Sequence, residues 1–436
     1  MSAEKTEAIP TVDHKPHAAF FRQSGWLMIA AIAGGVLTWG VHFLNKVIDP
    51  AEYSTFGVLL MAVACLPTMP LQMVFAQQSA LALATGRTRQ LASLIRLAWL
   101  WTFILWALGA ATVFVFRRQI VAGWHLPNEL GLWVTLILLL VSLWAPMFGG
   151  LLQGRQDFFW MGWSSILGGA ARLIGAVFFV MAFRLGAAGM MAGALIGISL
   201  TGLIPIWRTR DLWLIKAERF DGKSVLRQVL PLMFGFGACQ FMFTSDTMFA
   251  TAYFNGEQMK PYVVAGTLSR ALLWLVMPMA SVMFPKLIQS RAKSEKTNLF
   301  GLVVLGTAVL SVCGALGLWL VGPLVVRFVA HAGDVAGTMA LIPWYAGAMV
   351  PLALANVMVN DLLARGRFLV VPFMVALALA YGFTLPAMLH HFPGRLEVVL
   401  QTLGAFNLLL FGICAWFTWG VKAKPSGKVG NEGRFS

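Results

Sequence analysis

Residues 53–89 read YSTFGVLLMAVACLPTMPLQMVFAQQSALALATGRTR, and residues 262–293 read YVVAGTLSRALLWLVMPMASVMFPKLIQSRAK. In each, a tyrosine (Tyr53, Tyr262) opens a long apolar run, a proline (Pro70, Pro278) interrupts it, and a basic turn closes it (Arg87 and Arg89; Arg291 and Lys293). A second echo, Gly154-Arg155 against Gly366-Arg367, keeps nearly the same offset. A helix needs about 20 apolar residues to cross the roughly 30 Å of bilayer hydrocarbon, and both runs meet that length. The chain therefore reads as two similar halves of membrane-crossing helices.

Composition points the same way. Of 436 residues, 59% are hydrophobic and 11% charged, against about 25% charged in an average soluble domain. Lipid must cover surface that no globular core of this size could hide. Cys65, Cys239, Cys313 and Cys414 all fall in apolar runs without pairing or metal-ligand spacing, and read as small core residues. The net charge of +15 resides in short turns between apolar runs. That pattern encodes topology, and nothing in it resembles a nucleic-acid module.

Twelve spans are expected, at 24–47, 54–83, 91–116, 130–152, 158–183, 186–207, 225–253, 262–285, 299–321, 336–363, 368–389 and 397–421. The longest cytoplasmic link, about Arg208 to Ser224, falls at mid-chain and divides the spans six and six. The expected architecture is all-α and polytopic. It comprises a cytoplasmic segment 1–23, an N-lobe 24–207, a link 208–224, a C-lobe 225–421 and a cytoplasmic tail 422–436. Residues 1–23 mix Lys5, Lys15 and Arg22 with Glu4, Glu7 and Asp13 and lack the apolar core of a signal peptide. With the termini and the central link on one side, that side holds 23 of the 32 basic residues. The other side holds Lys46, Arg117, Arg118, Arg184, Lys260, Arg327 and Arg395, while Arg172 and Arg270 lie within spans. The positive-inside rule makes the richer side the cytoplasm.

Ionisable residues inside spans are costly and seldom face lipid. Asp246 in span 7 and Arg270 in span 8 lie at comparable depth, about 10 Å from one face at 1.5 Å per residue. Spans 7 and 8 are joined by a short loop, so an Asp246–Arg270 ion pair is expected. Two readings stand: a bridge that pins two helices, or an Arg270 that faces a wet cavity and is held there by Asp246. Arg172 lies mid-span with no acid in its own helix, and needs an anion, carbonyls or water. Gln72 and Gln240 mark polar points in spans 2 and 7. Arg87, Arg89 and Arg155 sit at the cytoplasmic mouth, where they serve topology and could also gather an anion. Pro67, Pro70, Pro278, Pro343 and Pro351 break helical hydrogen bonds. Small-residue runs, Gly168-Gly169-Ala170-Ala171 and the Gly/Ala-rich 186–202, mark close helix packing.

Function classes narrow accordingly. No polar connection has room for a catalytic domain. No Ser-His-Asp set, metal-spaced His or Cys cluster or Walker-type phosphate loop occurs. No enzyme activity, metal or cofactor is expected. Two similar membrane halves are the plan of many secondary transporters.

Several segments resemble the polysaccharide-transporter family, which includes the Wzx-type O-antigen and capsule flippases. This family belongs to the MATE-like multidrug/oligosaccharidyl-lipid/polysaccharide flippase superfamily. The segments are Asp49-Pro50-Ala51-Glu52-Tyr53, Leu152-Gln153-Gly154-Arg155, Gly186-Ala187-Ala188-Gly189, Ser245-Asp246, and Tyr262 through Arg270 to Phe284-Pro285-Lys286. The resemblance implies two six-helix lobes related by pseudo-two-fold symmetry around a cavity open to one side at a time. It implies a bacterial inner-membrane flippase, with both termini cytoplasmic. The substrate would be a polyprenyl-diphosphate-linked oligosaccharide carried to the outer leaflet, with a proton or sodium gradient and polysaccharide polymerase or export proteins as partners. Arg270 and Arg172 would engage the diphosphate, because Arg offers a bidentate fork to phosphate. A multidrug exporter of the same superfamily is the nearest rival. Such proteins typically carry a buried acid in the first lobe, and spans 1–6 here have none at mid-membrane.

Overall fold

The computed structural model describes residues 16–64, 66–123, 129–216, 218–219, 222–254, 256–292, 299–330 and 335–420. Most of the expected terminal segments 1–23 and 422–436, together with Cys65, Trp124, Lys293 and Lys296 and the side chains of Asn45 and Lys46, lie outside the described residues. Among the described residues, twelve helical segments are long and apolar enough to cross a membrane. They are Ala19–Leu44, Thr55–Thr85, Thr88–Val115, Leu130–Gly154, Phe158–Phe183, Gly186–Arg208, Val225–Tyr253, Pro261–Ser290, Phe300–Arg327, Val335–Ala364, Phe368–His391 and Leu396–Gly420. These are spans 1 to 12. The turn between spans 5 and 6 is as tight as its sequence implies, with Arg184 and Gly186 both in the left-handed region at φ 54° and 49°.

Each half repeats the packing of the other. Span 5 packs on spans 1 and 6, and its counterpart, span 11, packs on spans 7 and 12. Spans 2, 4 and 6 form a packed row, as do spans 8, 10 and 12. Between the lobes span 1 meets span 8, and span 2 meets spans 7 and 8. The 1–8 and 2–7 contacts exchange when the two halves are swapped, as a pseudo-two-fold requires. Spans 3 and 9 are the peripheral pair, with side chains such as Leu105, Leu108, Leu320 and Leu324 exposed for lipid to cover.

The prolines of the two matching stretches behave differently. Pro67 takes a non-helical ψ of 61° and divides span 2 into two helices, Pro50–Ala64 and Thr68–Thr85. Pro70 falls in the first turn of the second helix, where a missing N–H costs little. Span 8, by contrast, runs within one helix, Gly256–Ala292, through Pro261, Pro278 and Pro285. Each of these prolines leaves the carbonyl four residues earlier without its helical donor.

Spans 5 and 6 approach closely because their facing residues are small. A Cβ at Gly193 would lie 2.5 Å from the Ala176 nitrogen and 2.6 Å from its Cβ, and one at Gly197 would lie 2.7 Å from the Gly168 carbonyl oxygen. Backbone atoms cannot yield as a side-chain tip can. Gly193→Val should therefore destabilise the protein by roughly 1–3 kcal/mol, the usual cost of overpacking. Gly149→Ala, where a Cβ meets nothing within 4 Å, should be near neutral. Thermal unfolding of purified protein followed by tryptophan fluorescence would check the contrast, and equal midpoints would refute it.

Candidate functional site: an inter-lobe cavity and a buried ion cluster

A cavity of about 860 Å³ lies between the lobes. Span 1 supplies Leu27, Gly34, Thr38, Trp39 and His42, span 5 supplies Met161, Ser165 and Arg172, and Tyr53 and Gln72 contribute from the segment around span 2. The opposite wall is one stripe of span 8: Val263, Thr267, Trp274, Met277, Pro278 and Ser281. Their spacing is that of a single helix face.

Arg172 is the cation in this wall. Its Nε is buried without a hydrogen-bond partner, and no ion pair to Arg172 occurs among the described residues. Gly197 of span 6 makes room for its stem, since a Cβ there would lie 2.6 Å from the Arg172 Cβ. On the same wall His42 Nδ1 and the Tyr53 hydroxyl are 2.7 Å apart. His42 is near enough to Arg172 for the guanidinium charge to act on the imidazole, and it adds no compensating negative charge.

The Asp246–Arg270 pair is formed, with Arg270 donating to Asp246 Oδ1 at 2.6 Å and to the Thr247 hydroxyl at 2.7 Å. Tyr262 donates to Asp246 Oδ2 at 2.7 Å, and Tyr345 of span 10 donates to the same oxygen. The Arg270 guanidinium carbon lies 5.4 Å from the Tyr345 ring centroid and 5.7 Å from that of Phe243. Asp246 is 1% exposed, so the charge is met by direct donors. Arg270 occupies the cavity-lining stripe of span 8 by position, three residues after Thr267 and four before Trp274. Its guanidinium is nevertheless turned to Asp246, and the residue is not part of the cavity wall.

The structure thus places Arg172 and Gln72 on one cavity and gathers Asp246 and Arg270 beside it. Gln240 lies half-buried in span 7 and does not line this cavity. Of the basic residues expected at one mouth, Arg87 lines a second cavity of about 340 Å³ with Gln78, Gln90 and Gln228. Arg89 is exposed, and its carbonyl accepts the Glu218 amide of the inter-lobe link. Arg155 is committed to the Asp211 carboxylate and donates to the Arg208 carbonyl at 3.2 Å. Partial burial opposes the charge of Asp211, but Arg155 outweighs it and holds the carboxyl below its usual range. The three arginines share a face without forming one cluster.

Sequence reasoning missed Tyr345 and the place of Tyr53 on the cavity wall beside His42. A signal existed. The chain has 32 phenylalanines and only five tyrosines, and a hydroxyl inside an apolar span calls for a partner. Also unforeseen was a row of glutamines between the lobes. Gln72 donates to Gln153 Oε1 at 3.1 Å, and Gln153 Nε2 donates to the Ser281 carbonyl at 3.0 Å. Gln156 donates to Gln289 Oε1 at 2.7 Å, Gln289 to the Gly154 carbonyl at 3.2 Å, and Gln78 to Gln228 at 3.4 Å. Among the described residues no group of three His, Cys, Asp or Glu is placed to hold a metal ion.

Neither a protein-family model nor a curated protein sequence matches the chain. Solved structures do. A MATE transporter in its straight conformation aligns with a TM-score of 0.74 at 12% identity, covering 93% of this chain and 96% of that one. An outward-facing multidrug resistance MATE family transporter of the MOP superfamily aligns with a TM-score of 0.74 at 13% identity, covering 93% and 95%. A mutant of the Vibrio cholerae MATE transporter VcmN aligns with a TM-score of 0.72 at 13% identity, covering 93% and 97%. At these identities the likeness establishes the fold: this is a multi-pass membrane protein with the MATE-like two-lobe architecture.

Removing Asp246 alone leaves Arg270 buried and uncompensated. Asp246→Ala should cost on the order of 3–5 kcal/mol, as breaking buried pairs does. The charge-free double variant Asp246→Asn, Arg270→Gln should recover much of that loss. Thermal midpoints of the purified variants give the comparison; a double variant less stable than Asp246→Ala would contradict a mutually compensated pair.

Proposed function

We propose that this protein is a bacterial inner-membrane flippase for a polyprenyl-diphosphate-linked oligosaccharide, working by alternating access of its two lobes, and not an enzyme. The observation that carries this reading is Arg172, a guanidinium with a buried, unbonded Nε and no ion-pair partner among the described residues, in the wall of a cavity of about 860 Å³ between the lobes. In a poorly screened site such a charge attracts an anion strongly, and guanidinium matches phosphate oxygens two at a time. The cavity holds aromatic and small polar groups that suit sugar rings, while a polyprenyl tail stays in lipid. Arg270, central in the facing stripe and held aside by Asp246, supplies the second cation when a diphosphate competes for it. Gln72 lines the same cavity, Gln240 lies farther along span 7, and Arg87, Arg89 and Arg155 give the link face its basic character. The basic excess on that face supports its assignment, with both termini, to the cytoplasm. Energy would come from a proton or sodium gradient, and polysaccharide polymerase or export proteins would follow in sequence.

A multidrug exporter is the second reading, favoured by the structural likeness to a multidrug resistance transporter. An unpaired Arg172 disfavours cationic drugs in that cavity. Reconstitution separates the two readings. In proteoliposomes carrying a labelled polyprenyl-diphosphate oligosaccharide, the wild type should move the head group between leaflets. Arg172→Ala and Arg270→Ala should each slow it at least tenfold while eluting as folded protein. Wild-type rates in both variants would remove the site. Extrusion of a cationic dye with no movement of the lipid-linked sugar would favour the exporter.

A further inference from the structure

The inter-lobe hydrogen bonds made by the glutamines share a position and a chemistry. The bonds from Gln153, Gln156, Gln289 and Gln78 all lie toward the face that carries the central link, near the ends of spans 4 and 8 and the link-side turns of spans 2 and 7. All are neutral amide bonds, whereas the ion pairs Arg208–Asp157 and Arg270–Asp246 each stay within one lobe. Toward the opposite face the lobes part around the cavity, which Tyr53, Phe43 and Val263 line there.

One of these bonds has a covalent cause in the sequence. Pro285 has no N–H, so the carbonyl of Ser281, four residues earlier in the same helix, lacks its helical donor. A carbonyl left bare within a membrane is costly. Gln153 of the other lobe, fully buried, supplies the missing donor at 3.0 Å. Its amide is oriented for this by Gln72, which donates to its oxygen at 3.1 Å. Gln72 and Ser281 both line the cavity.

We propose that Gln72, Gln153 and the Ser281 carbonyl freed by Pro285 form a latch that holds the lobes shut at the link face and ties that closure to the cavity. Proline here builds an acceptor for the opposite lobe. Gln153 is a positioning residue, acting on the lobes and not on a transported molecule. Opening the link face exchanges the amide bond for water, which enters the gap as the lobes part, so the latch is reversible. A cavity occupant that takes the Gln72 amide withdraws the group that orients Gln153, and so favours release. The role of the latch in transport rests on the alternating-access reading, but its existence is tested without any substrate.

The test is double electron–electron resonance on the full chain in lipid nanodiscs, with the four native cysteines replaced by alanine. Spin labels go on Leu83→Cys and Leu226→Cys, exposed positions near the link-side ends of spans 2 and 7. Losing one neutral hydrogen bond should raise the ratio of open to closed link face about two- to tenfold. Gln153→Leu should show this rise. Pro285→Ala should show it too, because alanine restores an N–H that takes the Ser281 carbonyl into the helix, and alanine favours folding of that helix. Combining the two should add little to either alone. Pro278→Ala should leave the distances unchanged, since the Trp274 carbonyl it would satisfy accepts no inter-lobe bond among the described residues. Wild-type distances in Gln153→Leu or in Pro285→Ala, an additive double variant, or an equal shift in Pro278→Ala would each overturn the latch. Because no transport is measured, failure here leaves the flippase reading standing, and failure of that reading leaves the latch standing.

Discussion

The governing constraint is that a polar group inside hydrocarbon must be satisfied by protein or by water brought in with it. Three answers appear in this molecule. Asp246 is surrounded by donors: Arg270, Tyr262 and Tyr345. Arg172 is placed on a cavity wall instead of beside an acid. The Ser281 carbonyl, freed by a proline, is met by a glutamine from the other lobe. The first answer fixes a lobe internally. The second leaves a charge available. The third joins the lobes at one face. Fold, site and inter-lobe contact are solutions to one desolvation problem met at different depths.

Repetition explains why the solutions can differ between halves. The packing of spans 1 to 6 recurs in spans 7 to 12, so the backbone scaffold is shared. Side chains on it have diverged. Pro67 ends a helix in span 2, while Pro278 and Pro285 are carried inside an unbroken one in span 8. The charge pair belongs to the C-lobe, and the unpaired cation to the N-lobe. A cavity between halves that pack alike but carry different chemistry presents two unlike walls. One is dominated by Arg172, His42 and Tyr53, and the other by an apolar stripe with Thr267 and Ser281.

The fold was legible because hydropathy is summed over about 20 residues per span, and isolated substitutions do not blur it. Twelve runs became twelve spans, and the tight turn at Arg184 was readable from its length. The Asp246–Arg270 pair was legible because adjacent antiparallel helices fix relative depth by counting residues. What escaped needed contacts remote in sequence. Tyr345 reaches Asp246 across 99 positions and Gln153 reaches Ser281 across 128, and no local period encodes either. The rotamer of Arg270 was equally hidden: helical spacing puts it on the cavity stripe, while the neighbouring helix turns its guanidinium away. The glutamines were visible as polar points in spans, but their partners were not.

The unequal treatment of the two arginines bears on what the cavity is for. If the protein needed only to neutralise buried charge, Arg172 would be cheapest paired, as Arg270 is. An unpaired guanidinium on a cavity wall is a standing cost, partly offset by water in the cavity. The arrangement makes physical sense when the missing partner arrives and leaves. Arg270 has the complementary character. Its charge is already met, and an anion arriving at the level of Thr267 would have to compete with Asp246 for it. On the proposed flippase reading, one phosphate is held by Arg172 outright and the other by Arg270 in exchange, and only Arg270 has a protein carboxylate, Asp246, to return to once the ligand departs. A neutral or cationic cargo would gain nothing from Arg172 and would leave its desolvation uncompensated. On the reading proposed above, the cavity's electrostatics favour an anionic head group before any sugar is considered.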